Sequence, residues 1–123
     1  MKRLLQNDYE STVTRYAIME RAELYRDSVC IAPVDRPVDR VTAAQAADEL
    51  LNISGIEASV VLYPTAEGGV NLSARSIGSL NVQVLMETLG GGGNMNAAAA
   101  QLADTTPEEA LERLKAAVDD YLS

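Results

Sequence analysis

The sequence contains no histidine, and that absence removes a good deal of chemistry at once. Without imidazole there is no Ser-His or Cys-His nucleophile pair and no zinc site of the usual kinds. The single cysteine, Cys30, excludes an internal disulfide and fits a reducing compartment. There is no Trp and no Phe, only five Tyr, so the core has to be aliphatic and alanine-rich. No apolar run approaches the roughly eighteen residues of a membrane-spanning helix, and no signal peptide is visible. Basic residues are scarce as well: 10 Lys and Arg stand against 18 Asp and Glu, for a net charge of −8. Bulk electrostatic capture of nucleic acid needs a dense basic face, so it is not expected. An anionic ligand would have to be held locally, against the overall field. A carboxylate-only metal site stays open in principle, but the acidic residues are scattered along helix-like segments or sit in the pair Asp119-Asp120, which reads as a solvated helix face. A complete active site within this chain is therefore not expected.

What is present reads as one domain spanning 1–123. At 47% apolar content the chain has ample material for a core, and disorder is not expected. Between residues 2 and 26, Leu5, Tyr9, Val13, Tyr16, Met19 and Leu24 recur at near-helical spacing, which predicts one or two amphipathic helices. The β-branched run Ser28 to Val34, closed by Pro33, predicts a strand. A helix follows from about Val41 to Ile53, with Ala44, Ala47, Leu50 and Leu51 on one face and Gly55 at its stop. A hairpin comes next, with Ile56 to Tyr63 as one arm, Thr65 to Gly69 as the turn and Val70 to Arg75 as the other arm. In its second arm, alternation sends Val70, Leu72 and Ala74 to one face and Asn71, Ser73 and Arg75 to the other. Ser79 is placed to cap a helix from Leu80 to Leu89 that stops at Gly90. Ala98 to Ala103 reads as a short strand, with helix as its rival. Thr106-Pro107-Glu108-Glu109 is a strong helix start, and Leu111, Leu114, Val118, Tyr121 and Leu122 then line one face. The fold class is α/β, a small mixed sheet flanked by helices.

The most informative stretch is Gly90-Gly91-Gly92-Gly93, followed by Asn94-Met95-Asn96 and four alanines. Four consecutive glycines are costly to order, so within a patterned domain they mark close backbone approach or positive φ. Successive free N–H groups can form a concave nest for phosphate or carboxylate, while a loose linker after a helix cap is the plain alternative. The run has no Walker spacing, because no Lys-Ser or Lys-Thr follows Gly93, and it follows a helix rather than a strand.

Together, Leu72-Ser73-Ala74-Arg75-Ser76-Ile77-Gly78, Asn81-Val82-Gln83 and Leu89 to Ala100 closely resemble the DHH-associated domain of DHH-type phosphoesterases. That domain carries a Ser/Arg strand and, one helix later, a GGGH-type loop. Within the superfamily the chain is most similar to the C-terminal domain of GdpP-type cyclic-di-AMP phosphodiesterases. The segments Ala22 to Asp27 and Ala43 to Asp48 extend the likeness over nearly the whole chain.

The resemblance implies the substrate-binding half of a manganese-dependent phosphodiesterase that hydrolyses cyclic dinucleotides. It implies no catalytic residue and no cofactor in this chain, since Mn²⁺ and its Asp and His ligands belong to a preceding DHH domain. The implied partners are a cyclic dinucleotide or short oligonucleotide, that DHH domain and a second copy of the chain. The implied location is cytoplasmic, with no membrane contact by this domain and any anchoring left to an N-terminal segment of the parent. The alternatives are the matching domain of an oligoribonuclease- or exonuclease-like DHH enzyme and a non-catalytic nucleotide-sensing or dimerisation module.

By the same resemblance Gly91, Gly92 and Gly93 cradle a substrate phosphate. Arg75 would pair with that phosphate through parallel charge-assisted bonds, a surface salt bridge being its other reading. Ser73 and Ser76 would donate to the same group or simply leave room for it. Ala97 to Ala99 read as packing residues, and Tyr25 as a core anchor with a tethered hydroxyl rather than a base-stacking platform. Asn94 stands where the family usually has histidine. Its amide can donate to phosphate but cannot become cationic, and it could instead support an αL-like backbone after the glycines.

Overall fold

The computed structural model describes residues 6–78 and 80–123. Ten elements run in the order α1 (Gln6–Glu20), β1 (Glu23–Tyr25), β2 (Val29–Pro33), α2 (Arg40–Leu50), β3 (Ala58–Pro64), β4 (Val70–Ser76), α3 (Val82–Thr88), β5 (Gly92–Gly93), β6 (Ala97–Leu102) and α4 (Pro107–Leu122). The strands form one six-stranded sheet in the order β1-β2-β3-β4-β6-β5. Only β2 and β3 are parallel, and α2 is the crossover between them. The expected α/β architecture with a mixed sheet is what the chain forms.

Period-two patterning divides the core into two layers. Val60 and Leu62 of β3, Val70, Leu72 and Ala74 of β4, and Ala98, Ala100 and Leu102 of β6 pack beneath α3 and α4. On the opposite face Cys30, Ala32, Val61 and Tyr63 meet Ile18 of α1 and Ala43, Ala46, Ala47 and Leu50 of α2. Alanine lets α2 lie close to the sheet, near enough for the buried Ser59 hydroxyl to donate to the Ala47 carbonyl. The buried stripe of α2 is rotated from the expected one: Ala44 and Leu51 are half-buried at its margins, and Ala43 and Ala46 lie inside.

Local signals set the helix ends. The Asp39 carboxylate accepts from the Thr42 N–H at 3.2 Å to start α2. Thr106 and Glu109 exchange the reciprocal bonds of a capping box at the start of α4. The expected cap Ser79 lies outside the described residues. Asn81 caps α3, its Oδ1 accepting from the N–H groups of Gln83 and Val84 at 2.9 and 3.3 Å. Gly90 follows α3 at φ +88°.

The N-terminal region departs most from expectation. Helix ends at Glu20, and Glu23–Tyr25 pairs antiparallel with Val29–Ile31 as a short strand. Arg26 and Asp27 turn the chain at φ 57° and 68°. Tyr9, Val13 and Tyr16 are 59, 50 and 55% exposed, so the buried side of α1 is the one that carries Ile18; Leu5 lies outside the described residues. Tyr25 is the anchor it was expected to be. Its hydroxyl donates to both oxygens of Asp119 at 2.9 Å, its ring packs on the core, and the Lys115 ammonium lies 5.4 Å from the ring centre. The bond to Asp119, with smaller help from desolvation and from the carboxylate charge, raises the phenol pKa above its ordinary value.

Cys30 lies in β2 at 5% exposure, and burial raises its thiol pKa. At pH 8 an aromatic disulfide reagent should modify it on the order of a hundredfold more slowly in native chain than in guanidinium chloride, because only an opened state presents the thiolate. Equal rates in the two conditions would mean that β2 is not covered by α1 and α2.

Candidate functional site

The helices cover the two faces of the sheet unequally. α3 and α4 cover one face, and α2 lies over β3 and β4 on the other, while Ala99 and Gln101 of β6 remain exposed. This leaves a trough with a floor of alternate residues from β4 and β6. The directly opposed pairs are Asn71–Gln101, Ser73–Ala99 and Arg75–Ala97. One wall is α2, and the other is the glycine run beyond β6. A cleft of about 390 Å³ opens in this trough, touched by Arg40, Tyr63, Asn71, Ser73, Gly91 and Gln101.

Ser73 is buried to 6% exposure, yet its hydroxyl has no protein partner among the described residues. Arg75 lies on the same strand face and is engaged: its Nε sits 3.2 Å from Asp48 Oδ1 of α2, and its Nη1 donates to the Ala74 carbonyl at 2.8 Å. The Asp48 side chain is 61% exposed and that of Arg75 22%. Such a half-open ion pair contributes only about 0–1 kcal/mol, so a phosphate could replace Asp48 at little cost.

Ser76, one residue further along, falls on the other face. Its Oγ donates to the Met95 carbonyl and accepts from Asn96 Nδ2, both at 3.1 Å, and its N–H donates to the Asn96 carbonyl at 3.0 Å. The Val82 N–H also donates to the Met95 carbonyl. These bonds clamp the turn after the glycines to the end of β4 and the start of α3. Ser73 and Arg75 thus share the trough, and Ser76 fastens its wall from behind.

The glycines divide by position. A Cβ on Gly91 would collide with the Ala99 carbonyl and with Ala100, and one on Gly93 with Ala97 and Ala98; a Cβ on Gly92 would meet nothing within 4 Å. Close approach to β6 therefore accounts for two of the three. The Gly91 N–H donates to the Met86 carbonyl at 2.7 Å. Asn94 and Ala97 exchange N–H to carbonyl bonds at 2.8 and 3.4 Å. By antiparallel alternation the Gly93–Ala98 pair is then the unbonded kind, and the Gly93 N–H faces the free edge of β5.

Asn94 does not take a positive φ. Its Oδ1 accepts from the N–H groups of Asn96 and Ala97 at 3.1 and 2.9 Å, which closes the turn of Asn94, Met95 and Asn96 between β5 and β6. Its amide nitrogen has no protein partner among the described residues. Ala98 is buried packing, as expected, whereas Ala99 faces the trough and keeps its floor low.

Three polar residues of the trough escaped the sequence reading as candidates. Asn71 was assigned to the right face by alternation, but no chemistry was attached to it. Gln101 alternates with buried neighbours in β6, a signal that a strand reading of the alanine run could have used. Arg40 opens α2, where nothing in the local sequence points to a cleft.

Among the described residues no three His, Cys, Asp or Glu side chains gather as a metal site, and the chain has no histidine. This donor set does not fit a catalytic transition metal. No helix among the described residues is long and apolar enough to cross a membrane.

Comparison with known proteins fits this geometry. The chain is 44% identical over 123 residues to the cyclic-di-AMP phosphodiesterase GdpP of Geobacillus thermodenitrificans, and 41% identical over 123 residues to the cyclic-di-AMP phosphodiesterase PdeA of Listeria monocytogenes. Each match takes in 98% of this chain but 19% of the relative, so the chain spans about a fifth of the length of those proteins. Its fold is similar to an exopolyphosphatase-related protein from Bacteroides fragilis, with a TM-score of 0.81 at 19% identity over 97% of this chain and 36% of that one. Residues 26–123, which hold the trough, the glycine run and the helix that seals the opposite face, match the DHHA1 domain, and the chain belongs to that family.

Proposed function

We propose that this domain binds the nucleotide substrate of a manganese-dependent phosphodiesterase acting on cyclic dinucleotides, cyclic-di-AMP first among them. The observation that carries this reading is the trough itself. It combines a low floor of Ser73, Ala97 and Ala99, a wall without side chains at Gly91–Gly93, and an arginine held on the strand by a carboxylate it can exchange. The identity to two cyclic-di-AMP phosphodiesterases supports the choice of substrate. In this reading Arg75 leaves Asp48 for the phosphate, the Ser73 hydroxyl donates to the same group, and the glycines let the phosphate approach the backbone. In this reading the manganese ions and the hydrolysis belong to a DHH domain that precedes the DHHA1 domain in the parent protein.

The test is a titration of ¹⁵N-labelled chain with cyclic-di-AMP up to millimolar concentration, followed by amide NMR. Shifts should cluster at Asn71, Ser73, Arg75, Gly91, Gly92 and Ala99. Arg75→Ala should weaken binding by about ten- to a hundredfold, the loss expected for a charge-assisted bond. With added Mn²⁺ the chain should bind but not hydrolyse the dinucleotide. Shifts confined to the outer side of α1, or turnover that survives repurification, would overturn the assignment.

A further inference from the structure

Not all the polar groups of the trough are accounted for by a phosphate near Ser73 and Arg75. At its other end Asn71 and Gln101 stand directly opposite each other on neighbouring strands, and Arg40 faces them from the start of α2. None of the three side chains has a hydrogen-bond or ion-pair partner among the described residues. All three also line a second depression of about 440 Å³ that continues the trough past Glu67 and Asp104. Three unpaired polar side chains from α2, β4 and β6 therefore meet where two hollows join.

We propose that Arg40, Asn71 and Gln101 form a subsite for the adenine base of the bound nucleotide, a deepening that rests on the nucleotide-binding reading above. A carboxamide offers an acceptor and a donor side by side, the complement of the adenine N6 amino group and N7. Asn71 and Gln101 present two such groups on adjacent strands. The Arg40 guanidinium is planar and stacks on a base face, as arginine does where unstacked bases are read. Spacing agrees, because Asn71 lies two residues from Ser73 on the same strand face, about 7 Å along β4. A phosphate at Ser73 therefore sets the base of the same nucleotide at Asn71 and Gln101. Charge selects base over a second phosphate: Glu67 and Asp104 make the adjoining hollow acidic, which repels a phosphate and suits an exocyclic amino group.

The test uses the chain with three probes: cyclic-di-AMP, cyclic-di-GMP and ribose 5-phosphate, which has the phosphate and sugar but no base. On cyclic-di-AMP binding the side-chain NH₂ resonances of Asn71 and Gln101 should move. Asn71→Ala, Gln101→Ala and Arg40→Ala should each weaken cyclic-di-AMP by about tenfold, leave ribose 5-phosphate unchanged and erase any preference for adenine over guanine. Arg40→Ala weakening ribose 5-phosphate as much as cyclic-di-AMP would make Arg40 a phosphate ligand and overturn the base assignment. Wild-type binding that none of the three variants alters would overturn this subsite alone, and no binding of any probe by wild-type chain would overturn the nucleotide reading with it. The three positions are exposed or half-buried, and circular dichroism of each variant checks that it keeps the native fold.

Discussion

Gly91→Ala is expected to destabilise the domain by on the order of 3 kcal/mol, and Gly92→Ala by less than about 1 kcal/mol. The contrast arises from β6. At Gly91 a methyl group would collide with the Ala99 carbonyl and lie 2.6 Å from the Ala100 Cα, both backbone groups. β6 cannot withdraw, because β4 holds it along six residue pairs and Ala98, Ala100 and Leu102 are set in the core. The glycine strand must move instead, breaking the bond from the Gly91 N–H to Met86 and the pairing at Gly92–Gly93. At Gly92 the same methyl group meets nothing within 4 Å, and its φ is not positive. Restricting the unfolded chain even returns part of the cost there. Urea unfolding of the two variants beside wild type measures both numbers. Equal costs would remove the claim that close packing on β6 explains the glycine run. Gly92→Ala is also the cleaner probe of ligand approach, since it narrows the trough wall without disturbing the sheet.

The same contrast shows what could be read before the fold was known. The start of helix α4 was legible because it is written locally in Thr106, Pro107 and Glu109, but its buried face is Ala110, Leu114, Ala117 and Val118, with the expected Leu111 and Tyr121 at the margin and Leu122 exposed. The hairpin β3–β4 was legible because alternation over seven residues leaves one register that buries Val70, Leu72 and Ala74. Strand β1 was not, because three residues carry little pattern of their own and are extended only through pairing with β2. The glycine run announced close approach, but not to which neighbour; the neighbour is the alanine strand that immediately follows it. In the site, alternation put Ser73 and Arg75 on one face correctly, and the same rule puts Ser76 on the other, against the clamp at Met95 and Asn96. Arg40, Asn71 and Gln101 come from three separate elements, and only the folded sheet brings them to one cleft. Local signals thus carried the elements, while the polar end of the trough is a tertiary property.

Leu114→Ala is expected to cost about 3–5 kcal/mol, because it removes a large side chain from a closed layer and leaves a cavity. The buried residues of α4 are Ala110, Leu114, Ala117 and Val118, and Leu114 is the largest of them. Alanines cannot compensate for it, so the helix would lose most of its hold on β3 and α3. The loss would spread, because α4 ties down two distant pieces of the fold. Asp119 accepts from the Tyr25 hydroxyl and pairs with Arg26 at 3.0 Å, fixing the turn after β1, and the Tyr121 hydroxyl accepts from the Asn81 N–H at 2.9 Å, fixing the start of α3. The melting temperature should fall by on the order of 10–20 °C for a domain of this size. Amide exchange should quicken in β1 and at the start of α3 as well as in α4. Leu122→Ala, at a position already 36% exposed, is the matched control and should move the melting temperature by only a few degrees. A Leu114→Ala protein that melted alongside the control would mean that α4 does not seal this face of the sheet. The trough on the opposite face would then rest on a sheet without a backing layer, and the firm floor assigned to Ser73 and Asn71 would lose its support.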